Sequence, residues 1–179
     1  MKRLRVVGPV LALSALAAAG CFLISGQFVV NYALPSPFTV VAGTILHGER
    51  VDLNTIGEYN DHKSDLKRVD DLALIGEFHN NSTTTAASVE TWIVPDGNTG
   101  HLASSLPSVG FRLWGPLNVA ANSTVQVDWN RSAGLFVGRQ KLIDEIKGDG
   151  VFSLYVIANG AFNVTVTNGA VIAVIAAAK

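Results

Sequence analysis

Short β-branched and apolar runs, several of them alternating with polar residues at a period of two, make up most of the chain after the first residues. The clearest runs are FTVVAGTIL (38–46), DLALIGEF (71–78), SVETWIV (88–94), TVQVDW (124–129), VFSLYVIA (151–158), AFNVTVT (161–167) and AVIAVIA (170–176). A side chain that faces alternately in and out along an extended chain needs this pattern, and each run predicts a strand. In 88–94 the alternation sets Val89, Thr91 and Ile93 against Glu90, Trp92 and Val94. Asn-Gly pairs interrupt the last three runs at 158–161 and 167–170. Asn-Gly suits the tight turn of a hairpin, so the C-terminal third reads as a three-stranded meander.

Two stretches follow a helical period. In 55–69, Ile56, Tyr59, His62, Leu66 and Val69 share a face, and Thr55 with Glu58 has the spacing of a capping box. In 134–150, Leu135, Leu142, Ile143 and Ile146 form a stripe, Lys141 and Glu145 are placed to pair, and Gly148 ends the run. Many strands with two short helices predict a mainly β protein: an antiparallel β-sandwich with helical connections.

The first residues have a different pattern. Lys2, Arg3 and Arg5 precede an uncharged run from Val6 to Ala19, which ends in small residues before the only cysteine, Cys21. A positive start, an apolar middle and a small-residue exit make up a secretory signal peptide. The run A-A-G-C, Ala18 to Cys21, resembles the lipobox of bacterial lipoproteins, with alanine at 18 where leucine is usual. That resemblance implies a signal peptide over 1–20 and one lipid-anchored domain over 21–179. Acyl chains on Cys21 would hold that domain to a membrane, because several chains together anchor stably where one is marginal. Phe22 in place of aspartate after the cysteine points the resemblance to the outer membrane or cell surface. Two other readings stay open: retention of Val6 to Ile24 as an uncleaved anchor, and cleavage after Ala17 or Ala19 to release a secreted protein.

Composition narrows the function. Three of 13 basic residues lie in the leader, leaving ten against 14 acids and a net charge of about −4. Without a basic cluster to neutralise phosphates, nucleic acid is excluded as a partner. About 160 residues are enough to bury a core without disulfides or metals. No G-x-S-x-G occurs, and Ser104, Ser105 and Ser108 stand near His101 with no motif around them. His47, His62, His79 and His101 are scattered rather than set at ligand spacing. These features predict a non-enzymatic protein with no cofactor. PDGNTGH (95–101) places Asp96 and Asn98 like the opening of a calcium loop, but lacks the far glutamate. Turn chemistry accounts for the same residues. Five Asn-x-Ser/Thr sequons, at Asn80, Asn81, Asn122, Asn130 and Asn163, have the same explanation.

The longest irregular stretch, 95–118, is the place to expect a surface function. Its candidates are Arg112 and Trp114, a cation and an aromatic two residues apart. The expected function is that of a structural or interaction module of the cell envelope, tied to the membrane through Cys21, with an envelope protein or a second copy as partner. The alternatives are a subunit that joins a fibre by strand addition, with 22–32 as the donated strand, and a small-ligand-binding β-sandwich.

Overall fold

The computed structural model describes residues 26–41, 47–159 and 162–177. Cys21 and the leader lie outside them. Among the described residues nine strands form two antiparallel sheets. In the five-stranded sheet, β9 (Asn163–Ala177) is central: β1 (Gln27–Ala33) and then β2 (Phe38–Val41) pair along one side of it. On its other side runs β4 (Leu66–Asn80), followed by β7 (Thr124–Val127). The four-stranded sheet runs β3 (His47–Asp52), β8 (Val151–Asn159), β5 (Ala87–Val94), β6 (Phe111–Val119). With β1 and β2 counted as one interrupted strand, β1–β9–β4–β7 against β3–β8–β5–β6 is the order of the double-sheet jelly roll. The expected antiparallel β-sandwich is what the chain forms.

The core lies between the sheets. Val30, Leu72, Leu74, Phe78, Val164, Val166 and Ile175 from one sheet meet Val51, Val89, Ile93, Trp114, Phe152 and Leu154 from the other. The two faces that the alternation separates in β5 are the observed ones, and the face of Val89, Thr91 and Ile93 is the inward one, with Val89 and Ile93 fully buried and Thr91 nearly so. Strand β8 is buried on both faces, since Val94, Leu106 and Tyr155 form a second apolar cluster outside the four-stranded sheet. The 95–110 connection, with its short helix α2 (Leu106–Val109), supplies that cover.

The C-terminal meander is not formed. β8 and β9 belong to different sheets, and 163–177 is one strand rather than two. The Asn168–Gly169 pair is a bulge within it. Ile75 pairs with Ala170 and Glu77 with Thr167, so Gly76 alone stands opposite two residues of β9, Asn168 and Gly169. The bulge is needed because the apolar runs on either side are out of phase. Val164 and Val166 point inward, and then Val171, Ala173 and Ile175 do. Only an extra residue puts both runs on the core face. Asn168 takes φ +53, a value asparagine tolerates, and its N–H donates to Ser36 Oγ at 3.0 Å. Both neighbouring strands break at the same level: β1 gives way to β2 across Leu34–Pro37, and β4 has Gly76 at φ +155. A line of irregularity therefore crosses the sheet from the β1–β2 break through β9 to β4.

The helices also depart from the sequence reading. Of the 55–69 stretch only α1 (Gly57–His62) and flanking 3₁₀ turns are helical, and Leu66 to Val69 already belong to β4. The capping box is absent: Ile56 occupies the cap position, and Thr55 donates to Asp52 O instead. Tyr59 anchors α1 in the core and donates to Ile146 O at 2.8 Å. Trp129 leaves the strand predicted for it and starts α3 (Trp129–Ala133), which Asp128 caps by accepting the Arg131 N–H. The stripe of Leu142 and Ile146 is carried by α4 (Arg139–Lys147). Lys141 there lies over the Phe111 ring, 4.7 Å from its centre.

The two ends of the sandwich differ. Gly26, Ala177, α1, the 95–110 connection and the start of β8 gather at one end, tied by hydrogen bonds such as Leu53 N–H to Gly150 O at 2.9 Å. The loops 81–86 and 120–123 occupy the other, where Asn122 N–H donates to Ser82 O at 2.7 Å.

Candidate functional site

The 95–118 stretch does not present the expected pair. Trp114 is fully buried, stacked on Phe78 with ring centres 5.8 Å apart, and enclosed by a bridge to Phe136. It is a core residue, and this corrects its assignment to a surface. Arg112 does reach the surface, where it pairs with Glu90 at 3.1 Å. Its neighbour across the strands is Trp92, whose indole N–H also points at Glu90, at 3.4 Å. The bulges between β5 and β6 place Arg112 and Trp114 on opposite faces, and no local pattern announces them.

The 95–101 loop is closed by its own side chains. Asp96 Oδ1 accepts the Asn98 N–H and Asn98 Oδ1 the Gly100 N–H, while His101 pairs with Asp96 at 3.2 Å. The Asn98 hydrogen bond first, and His101 second, hold the Asp96 carboxyl below its ordinary range. Tyr155 locks the loop by accepting the His101 N–H and donating to Asn98 O. Both calcium candidates thus use an oxygen in turn formation. Among the described residues no three His, Cys, Asp or Glu gather as a metal would require. Ser105 and Ser108 donate to the backbone carbonyls of Leu102 and Ser105. The other histidines are equally dispersed: His79 meets Thr124, His62 lies against Phe28, and His47 stacks on Phe38 at 4.0 Å. Burial lowers the His47 pKa, opposed in part by Glu49.

Four of the sequon asparagines, Asn80, Asn81, Asn122 and Asn163, lie at the end of the sandwich remote from Gly26 and build its loops. Asn80 is buried and donates to Thr85 O and Val119 O, and Asn81 donates to Asn163 and Thr165. Asn122 takes the left-handed turn conformation, φ +49.

A groove of about 340 Å³ opens on the outer face of the five-stranded sheet, where the line of irregularity crosses it. Ile75 and Ile172 form its apolar floor. Glu77 and Gln126 are paired residues on adjacent strands, so their side chains stand side by side along it. Asn168 projects from the bulge, and Asp128 and Trp129 close the opposite end at the start of α3. The Trp129 indole N–H donates to Asp71 Oδ2 at 2.9 Å, and Arg139 holds Asp71 at 3.4 Å from the other side. Glu77 receives a long contact from the Thr167 hydroxyl at 3.4 Å. A side chain at 76 would bring a Cβ within 3.3 Å of Gly169 Cα and Thr167 O, so the floor requires glycine there. None of these residues stands out in the sequence, because four separate segments supply them. The one local signal is the Asn-Gly pair.

No family model and no curated protein matches the chain. Among solved structures it is similar to Desmodium yellow mottle tymovirus, at 11% identity and a TM-score of 0.25 over 86% of this chain and 90% of that one, a likeness too slight to bear on function.

Proposed function

We propose that the protein is a non-enzymatic, lipid-anchored module of the cell envelope, tethered through Cys21 and built to bind rather than to catalyse. The observation that carries this reading is the path of the chain after the anchor. Only four residues separate Cys21 from Gly26, and Gly26 leads straight into β1 at the end of the sandwich that also holds α1 and the 95–110 connection. A domain joined so closely to its lipid sits on the membrane with that end down. The opposite loops and the outer sheet faces are then offered to the surroundings. The use of the Ser105, Ser108 and His101 side chains in loop closure supports binding over catalysis.

The test is the intact mass of the N-terminal peptide recovered from membranes, for wild type and Cys21→Ala. A wild-type peptide that starts at Cys21 and carries acyl mass is expected, with the variant lacking it and leaving the membrane fraction. A wild-type start at Met1, Ala18 or Gly20 overturns the reading.

A further inference from the structure

We propose that the groove on the outer face of the five-stranded sheet binds a neutral pyranose sugar. The inference stands on the groove alone and holds for a tethered or a free domain. Three features carry it.

The first is the mixture of surfaces. A pyranose has apolar C–H faces and a rim of hydroxyls, each able both to donate and to accept. The groove offers an apolar floor in Ile75 and Ile172, an indole wall in Trp129, and a row of planar polar groups in Glu77, Gln126 and Asn168. A carboxylate only accepts, whereas the two amides each accept and donate. Vicinal hydroxyls are bound by such groups two at a time.

The second is charge. The lining includes two carboxylates, Glu77 and Asp128, and no basic side chain. A phosphate, sulfate or uronate entering it meets like charge from the lining, while the adjacent Arg139 and Arg131 are turned to Asp71 and to the Gln126 carbonyl. A quaternary ammonium ligand needs aromatic faces around it, and this lining has a single aromatic. A compact cation would meet the carboxylates but leave Ile75, Ile172 and the indole uncovered, whereas a neutral polyol with C–H faces uses both kinds of surface.

The third is preorganisation and size. The Asp71 hydrogen bond holds Trp129 in place, the Gly76 and Asn168 irregularities shape the floor, and Asp128 is fixed by capping α3. Little ordering remains to be done on binding, which favours weak polar ligands that repay few costs. At about 340 Å³ the groove falls at the small end of ligand clefts, which run from about 300 to 1,000 Å³. It accommodates a short sugar rather than a long chain.

The experiment uses the full chain in a polyoxyethylene detergent, which has no sugar headgroup to compete. Tryptophan fluorescence is titrated with disaccharides of glucose, N-acetylglucosamine, mannose and galactose, and with choline and glucuronate as charged probes. A saturable change is expected with at least one neutral disaccharide. Gln126→Ala removes a partner for the hydroxyls from an exposed position and is expected to weaken binding about five- to tenfold. Trp129→Phe is expected to weaken it further and to abolish the spectral change, since Trp114 is buried and Trp92 lies on the other sheet. Thermal melting of each variant checks its fold, and Gln126→Ala alone decides if Trp129→Phe melts early. No saturation with any neutral sugar, equal affinity in wild type and Gln126→Ala, or preference for choline or glucuronate overturns the proposal.

Discussion

Ser132→Ala isolates how the five-stranded sheet protects an edge it leaves short. Strand β7 pairs with β4 only from Gly76 to His79, so the backbone N–H of Leu74 has no strand to meet. Helix α3 supplies the partner instead: Ser132 Oγ accepts the Leu74 N–H at 2.7 Å, and Ser132 is fully buried. Alanine removes the acceptor and leaves a buried amide unpaired, a loss of about 1–3 kcal/mol. Alanine is also the better helix former, by up to about 0.5 kcal/mol, which opposes the loss. The amide term wins, and a net destabilisation of about 1.5 kcal/mol is expected. With a urea dependence of about 1–3 kcal/mol per molar, the unfolding midpoint falls by roughly 0.5–1.5 M with its slope unchanged. Hydrogen exchange supplies the local readout, since the Leu74 amide should exchange faster while amides facing β9 keep their protection. A midpoint shift below about 0.2 M, or an unchanged Leu74 amide, would refute the idea that the serine stands in for a strand.

Two further perturbations test the fold from other directions. Burial disfavours the charged form of His47, so its folded pKa lies below the ordinary value of 6.5. The unfolded chain then binds the proton more readily, and stability that is complete above about 6.5 falls as the pH drops towards the folded value. His47→Phe keeps the stack on Phe38, and chemical unfolding at pH 7 and pH 5 should show a smaller loss on acidification than in wild type; an equal loss places the titrating group elsewhere. At the bulge, Asn168→Ala forces alanine into φ +53 and should cost about 1–2 kcal/mol, while Asn168→Gly is close to neutral. Deleting Asn168 puts the two halves of β9 out of phase and should leave the chain insoluble; a soluble deletion variant with wild-type melting removes the phase argument.

The strands were legible where one face was buried and the other was not. β5 shows this best, for its alternation separated its two faces and gave its limits to within one residue. Leu66 and Val69 misled because three residues apart they satisfy a helix, while the residues between them, Lys67 and Arg68, are exposed on a strand just as they would be on a helix. Asn168–Gly169 misled for a related reason, since the backbone freedom that permits a hairpin also permits a bulge. What decides between them is the partner strand β4, some ninety residues earlier. Trp114 beside Arg112 looked like a surface pair, and its burial depends on Phe78 and Phe136 arriving from elsewhere. The groove was invisible for the same reason, because Glu77, Gln126 and Asn168 become neighbours only once the sheet is assembled.

The pairing of β1 with β9 also sets how the domain responds to pulling. The bonds from Gln27–Ala33 to Ala170–Ala176 run across the strand axis. A tug on residue 26 directed along β1, with the far loops held, strains all of them together instead of opening them one by one. Strand β2 continues the same line and pairs with Asn163–Val166, so the first two strands resist as a single seam. Tension applied sideways to that edge peels the seam from Gln27 inwards, one pair at a time. A domain hung from this strand is therefore mechanically strong along one direction and weak across it.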